Sequence, residues 1–256
     1  MIPDQRRELL LRHLREHVVL SVHQLTDLLG VSHMTVRRDI AALERDGRAV
    51  SVPGGVRLAS SIHSEPSHAS KAAVDRPQKD AMAAAIGATL TDDTTLYLDA
   101  GTTLLALVPY VVAHQGMTVV TNDFTVVARL AEAPHVETIH VGGRLEPENL
   151  STVGPVAAAT LARFALDIAY ISSSSWDVRR GVTTPSEAKV EVKQAAMAAA
   201  ARSVLVAASS KYGLFGKYRA APLHAFDEVV TDDGLGESAA AAVRETGTTL
   251  TLVPVS

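Results

Sequence analysis

The run Leu96-Tyr97-Leu98-Asp99 reads as a strand, and it ends in Ala100-Gly101-Thr102-Thr103 before passing straight into an apolar, helix-like stretch. A glycine and two hydroxyls at such a joint suit an anion such as a phosphate. Glycine lets the backbone approach, the threonines donate, and the free amides at a helix start face the ligand. An ordinary strand-to-helix turn has the same composition, so the motif alone leaves both uses open. The style recurs at Thr121-Asn122-Asp123, Gly142-Gly143-Arg144 and Ser209-Ser210-Lys211, each after a strand-like run. In a parallel sheet all carboxyl ends share one edge, so these four segments are expected to line one crevice. Taken singly, Asn122 is a turn former, Gly142-Gly143 a hairpin and Lys211 a surface charge.

A second set of reactive groups lies near the start. Ser32, His33, Thr35, Arg37 and Arg38 open a helix-like segment and have the donors to reach phosphates or base edges. Arg37 and Arg38 stand about 100° apart on a helix, which places one to read guanine and the other to grip backbone. Asp39 beside them would repel phosphate, so it is expected to pair with an Arg or cap within the fold. The ten histidines are scattered and no HExxH pattern occurs, so neither a metal site nor a cofactor is expected.

The elements that must position these groups follow from spacing. Leu10, Leu11, Leu14 and Val18 form one apolar face of a first helix. Ser21 with Gln24 forms a capping box for a second, carrying Val22, Leu25, Leu28 and Leu29, which Gly30 stops. Ser32 caps a third, with Met34, Val36, Ile40 and Leu43 inward, ended by Gly47. Two short strands around Pro53-Gly54-Gly55 read as a wing. Helix, tight turn and helix make the helix-turn-helix geometry that sets one helix in a major groove; a solvated three-helix module is the plain alternative. Residues 59–79, rich in Ser, His, Pro and Ala without periodicity, read as a linker. From there strand-like and helix-like runs alternate to the end. The chain is thus expected to be α/β, with an N-terminal winged helix-turn-helix over 1–58 and a mostly parallel α/β domain over 80–256. Trp176 reads as core or pocket wall.

Net charge is −4 over 256 residues, which opposes a nucleic-acid partner until it is divided. Residues 1–60 carry nine Arg against seven acids, a net +2, so only the front end favours phosphates. With no cysteine, disulfides, thiolate zinc sites and cysteine nucleophiles are excluded. No run of eighteen apolar residues and no basic-apolar leader is visible, so a soluble, cytoplasmic protein without membrane attachment is expected.

The run SVHQLTDLLGVSHMTVRRDIAALERDGRAVSVPGG from Ser21 resembles the DeoR family signature, a small winged helix-turn-helix ending in a Gly-Gly wing. YLDAGTT at Tyr97–Thr103, TN at Thr121-Asn122, GGR at 142–144, GVTTPSEAKVEVKQAAM at 181–197 and SSKYG at 209–213 resemble that family's sensor domain, whose fold is similar to sugar-phosphate isomerases and glucosamine phosphate deaminases. The resemblance implies a repressor of a carbohydrate or polyol catabolic operon that a phosphorylated sugar releases from operator DNA. It implies a homo-oligomer, dimer or tetramer, and an effector pocket of Asp99, Gly101, Thr102, Thr103, Asn122, Lys189 and Lys211, with Glu187 nearby. Ser172-Ser173-Ser174-Ser175-Trp176-Asp177 departs from the glycine-containing stretch of many members, which alters a pocket wall. The rival use of the crevice is sugar-phosphate isomerisation or deamination, with Asp99, Glu187 or Asp177 as proton carrier and Lys211 as clamp. A DNA reader joined to the pocket favours a sensor.

Overall fold

In the computed structural model, residues 1–17 and 19–255 are described; Val18, counted above on the first apolar face, lies outside them. Three helices, α1 (Pro3–Glu16), α2 (Val22–Leu29) and α3 (His33–Arg45), precede the hairpin β1 (Ala49–Val52) and β2 (Gly55–Leu58). Ser21 and Gln24 form the reciprocal capping box at α2, and Ser32 caps α3. Leu10, Leu11, Leu14, Leu25, Val36, Ile40 and Leu43 close one core with Val56 of the wing. Two residues expected inside are not there: Leu28 is 44% exposed and Met34 62%. Three helices around so small a core leave each with a narrow buried stripe, and these positions fall at its edge.

Residues 59–79 are not an extended connection. They hold β3 (Ser60–Ser61), α4 (His68–Ala73) and the start of α5 (Arg76–Gly87). β3 pairs in parallel with Leu214–Phe215, far along the chain. The segment lacks periodicity because it lies on the body through a few polar contacts and buries no continuous apolar face.

The remainder is built on seven parallel strands in the order Thr249–Val253, Glu228–Asp232, Ala200–Val206, Leu166–Ser172, β4 (Thr95–Leu98), β5 (Thr118–Thr121) and β6 (Glu137–His140). Both faces are covered, so alternate residues serve different cores: Tyr97 packs on one side, Leu96 and Leu98 on the other. Each such leucine, fully buried, stabilises the fold by roughly 1.5–3 kcal/mol. Trp176 is wholly buried in the first of these cores, edge-on to Tyr212, with its indole N–H on the Ala208 carbonyl. A small antiparallel sheet of Ser175–Asp177, Gly181–Thr184 and Tyr218–Ala221 adds to that side.

The strand order has one consequence for function. The chain builds outward from β4 through β5 to β6, returns to Leu166–Ser172 on the other side of β4, and builds outward the opposite way. The reversal opens a crevice beyond the carboxyl ends of β4 and Leu166–Ser172, where ligands bind in sheets of this kind.

Candidate functional site

At that reversal lies a cavity of about 260 Å³. Asp99, Gly101, Thr102, Thr103, Asn122, Lys189 and Lys211 all border it. Gly101 has φ 143, a backbone conformation other residues rarely adopt, and this lets the chain turn sharply from β4 into the next helix. That helix, α6 (Thr102–Leu105), is a single turn, and the Gly101 amide donates to Asp123 at 2.8 Å. The helix dipole expected at this joint is therefore slight. The positive charge comes from lysines instead.

Four of them line the cavity: Lys71, Lys189, Lys193 and Lys211. Lys189 and Lys193 project from one face of the helix Ala188–Ala198, four residues apart. Lys193 forms an ion pair with Asp99 and donates to the Ser172 carbonyl at 2.8 Å. Asp99 also accepts from the Ser172 amide at 3.0 Å and hydroxyl at 2.9 Å. The Asp99 carboxylate thus ties two strand ends together and is committed to that role. Asn122 is engaged likewise, accepting from the Tyr97 hydroxyl at 2.9 Å and donating to the Thr152 carbonyl at 2.9 Å. Both shape the floor.

Lys71 and Lys189 flank Glu65, at 2.7 and 3.2 Å from its two oxygens. Burial alone would raise the Glu65 carboxyl, but Lys189 and Lys71 outweigh it and hold it at about 2. Burial, helped by Lys71 and Lys193 and opposed by Glu65, lowers Lys189. Lys211 has no ion pair among the described residues; its ammonium donates to the Ser173 carbonyl at 2.8 Å. Burial first, then the charges of Lys79 and Lys71, bring it down to about 8 against the pull of Asp75 and Glu65.

Gly142, Gly143 and Arg144 do not border the cavity. They follow β6, the outermost strand, two places from the reversal, and Arg144 instead begins a hairpin (144–146 with 151–153) whose Asn149 and Ser151 reach the cavity. Glu187 is exposed outside it, and Asp177 is paired with Arg180 at 2.6 Å on the side facing the reader. Sequence reasoning missed Glu65, Lys71 and Lys193. The four-residue spacing from Lys189 marks Lys193 on a helix, whereas nothing local marks Glu65 or Lys71.

In the reader, Ser32, His33, Arg37 and Arg38 are exposed on the first turns of α3 and Thr35 is half-buried. The Ser32 hydroxyl accepts from the Thr35 amide at 3.3 Å and lies 3.0 Å from the Thr35 hydroxyl, so both are partly spent on the cap. The His33 ring stands edge-on to His23 at 6.0 Å. Arg37 and Arg38 have no ion pair among the described residues. Asp39 is buried, paired with Arg6 and 3.6 Å from Arg7, so α1 neutralises it away from the exposed face. No group of three or more metal-ligating side chains is assembled among the described residues, and no helix there is long and apolar enough to cross a membrane.

Comparison with known proteins matches residues 6–62 to a DeoR-like helix-turn-helix domain and residues 75–233 to the DeoR C-terminal sensor domain. The HTH-type transcriptional regulator YgbI of Escherichia coli K12 is 43% identical over 243 residues, covering 95% of each chain. The HTH-type transcriptional repressor CsqR of the same organism is 28% identical, covering 82% of this chain and 80% of its own. A solved D-ribose-5-phosphate isomerase in complex with phospho-erythronic acid overlaps 52% of each chain at 11% identity and a TM-score of 0.39, too distant to carry an argument.

Proposed function

The chain belongs to the DeoR family of helix-turn-helix transcriptional regulators, and from that membership we propose that it represses a carbohydrate or polyol catabolic operon and leaves its operator when a phosphorylated sugar fills the crevice. The observation that carries the effector class is Lys211, a cation sunk in a cavity among like charges without a carboxylate partner. A half-buried charge without a partner is costly, and an incoming phosphate supplies the missing counter-ion. Gly101, Thr102 and Thr103 furnish close backbone and hydroxyls beside it.

The pocket is a sensor's and not a catalyst's. Of the carboxylates considered as proton carriers only Asp99 borders the cavity, and its oxygens are engaged by Lys193 and by the Ser172 amide and hydroxyl, which fix it between two strand ends. Glu65, at about 2, is too weak a base at neutral pH. The reader acts as a dimer or tetramer on repeated or palindromic half-sites, since one small winged helix binds weakly alone. Effector binding favours a domain arrangement of lower operator affinity, as linkage requires.

A thermal-shift screen of sugar and polyol phosphates, followed by operator release measured on gels, tests the reading. At least one such phosphate is expected to stabilise and release the parent. Lys211→Ala and Thr102→Val should keep operator binding but lose about 1 to 3 kcal/mol of effector affinity, a factor of about five to a hundred. A screen without any stabilising phosphate sinks the effector class.

A further inference from the structure

Glu65 is a carboxylate placed where an anion is wanted. Its segment lies across the outer side of the cavity, contributing Ile62, Pro66, Ser70 and Val74 to the wall. Oε1 takes the Lys71 ammonium at 2.7 Å; Oε2 is 3.2 Å from that of Lys189 yet buried with no hydrogen bond of its own. Two of the four cavity lysines are thereby neutralised by one imperfectly satisfied group. A phosphate monoester carries about −1.5 to −2 charge and three acceptor oxygens, so it fits two converging ammonium groups better than a carboxylate does. Both cannot occupy the seat, because like charges at such range repel.

The segment is lightly held. Ser61, His63, Ser64 and Pro66 are exposed, and its backbone is tied to the body by Ser60 to the Gly213 carbonyl at 3.2 Å and Ile62 to the Phe215 carbonyl at 2.8 Å. Few buried apolar contacts and exposed backbone bonds make such a stretch cheap to lift. Ser60 is two residues beyond Leu58, the end of wing strand β2.

Resting on the anion-pocket reading above, we propose that Glu65 is an internal counter-anion that fills the seat between Lys71 and Lys189 in the effector-free repressor, and that an effector phosphate displaces it and frees the segment leading to the wing. Effector binding and release of the wing's tether are then one exchange of anions.

The test titrates the full chain with inorganic phosphate by calorimetry, in the parent and in Glu65→Gln. The amide keeps the side chain's shape but no longer competes for the ammonium groups, so the variant is expected to bind phosphate about tenfold more tightly. In the parent, which needs no substitution, the amides of Ser60 and Ile62 should exchange hydrogen faster at saturating phosphate. Equal or weaker binding by Glu65→Gln, or exchange at those amides that does not quicken, overturns the proposal; if Lys211→Ala still weakens phosphate binding, the anion pocket itself survives. If the parent binds neither phosphate nor any sugar phosphate in the screen, both readings fall.

Discussion

Lys193 and Lys211 face the same cavity under opposite electrostatic conditions. Lys193 is matched by Asp99, and removing it strands a buried carboxylate between two strand ends. Lys193→Ala should therefore cost about 3–5 kcal/mol of stability, read by urea unfolding. The double variant Asp99→Ala/Lys193→Ala should cost less than the two singles added, because the uncompensated charge goes with it. Lys211 titrates near 8 in the free protein. An anion binds its protonated form, so bound ligand raises that value, and the contribution of Lys211 to effector affinity is flat below about 8 and falls by up to about tenfold per unit above it. Because a phosphate monoester gains its second charge near pH ~6, the affinity maximum is expected between ~6 and ~8. Calorimetry across pH checks this; Lys211→Ala should lose the alkaline decline, and a decline that persists there assigns it to another group.

At the scale of elements, α3 has its buried stripe fixed by Val36, Ile40 and Leu43, which leaves Arg37 and Arg38 outside it. Arg37→Ala and Arg38→Ala are each expected to weaken operator binding by about 1–3 kcal/mol with the melting temperature unchanged. Affinity should also fall steeply with salt as phosphate contacts release counter-ions. Gel shifts in which both variants bind like the parent would remove α3 as the reading helix. The apolar stretch after Thr103 shows how far such reasoning reaches: it reads as one helix to His114, but it forms two short ones, Thr102–Leu105 and Val108–Val112. Pro109 has no amide for a continuing helix, which favours a new start there.

For the whole molecule, what matters is that the wing rests on the sensor domain beside Lys211. Arg57 of β2 donates to the carbonyls of Ser210 and Tyr212, at 3.2 and 2.8 Å, on either side of Lys211. Gly213 must be glycine here: at φ 76, an added Cβ would lie 1.9 Å from a Val50 methyl of β1. Arg180 and Ser238 make further contacts with Gly47 and Glu44, at 3.3 and 2.9 Å. Arg57→Ala should leave operator and effector binding separately within a few-fold of the parent while reducing their mutual effect, since the link and not the sites is cut. Effector affinity measured with and without operator gives that coupling directly, and thermodynamics requires the same factor in reverse. A coupling unchanged in Arg57→Ala places the transmission elsewhere.

Local signals in the sequence decide much of this protein without any tertiary contact. Ser21 with Gln24, Gly30 and Ser32 bound two helices through bonds spanning three or four residues, and the alternation of strand-like and helix-like runs already called for a parallel sheet. Thr102 and Lys211 stood out because strand ends in such a sheet share an edge. Tertiary structure alone decided which strand ends meet. It placed the reversal beside β4, brought Asn122 and Lys211 to it, and left Gly142–Arg144 on the far strand. It also paired Asp99, expected at the effector pocket and found bordering the cavity, with Lys193, 94 positions away. Residues 59–79 were illegible for the same reason: Lys71 reaches Asn149 across 78 positions, and the Ile62 amide reaches the Phe215 carbonyl from farther still along the chain. Caps and periodicity act over one or two turns of chain, whereas charges are paired by whatever the folded sheet brings within reach, and no spacing in the sequence encodes that.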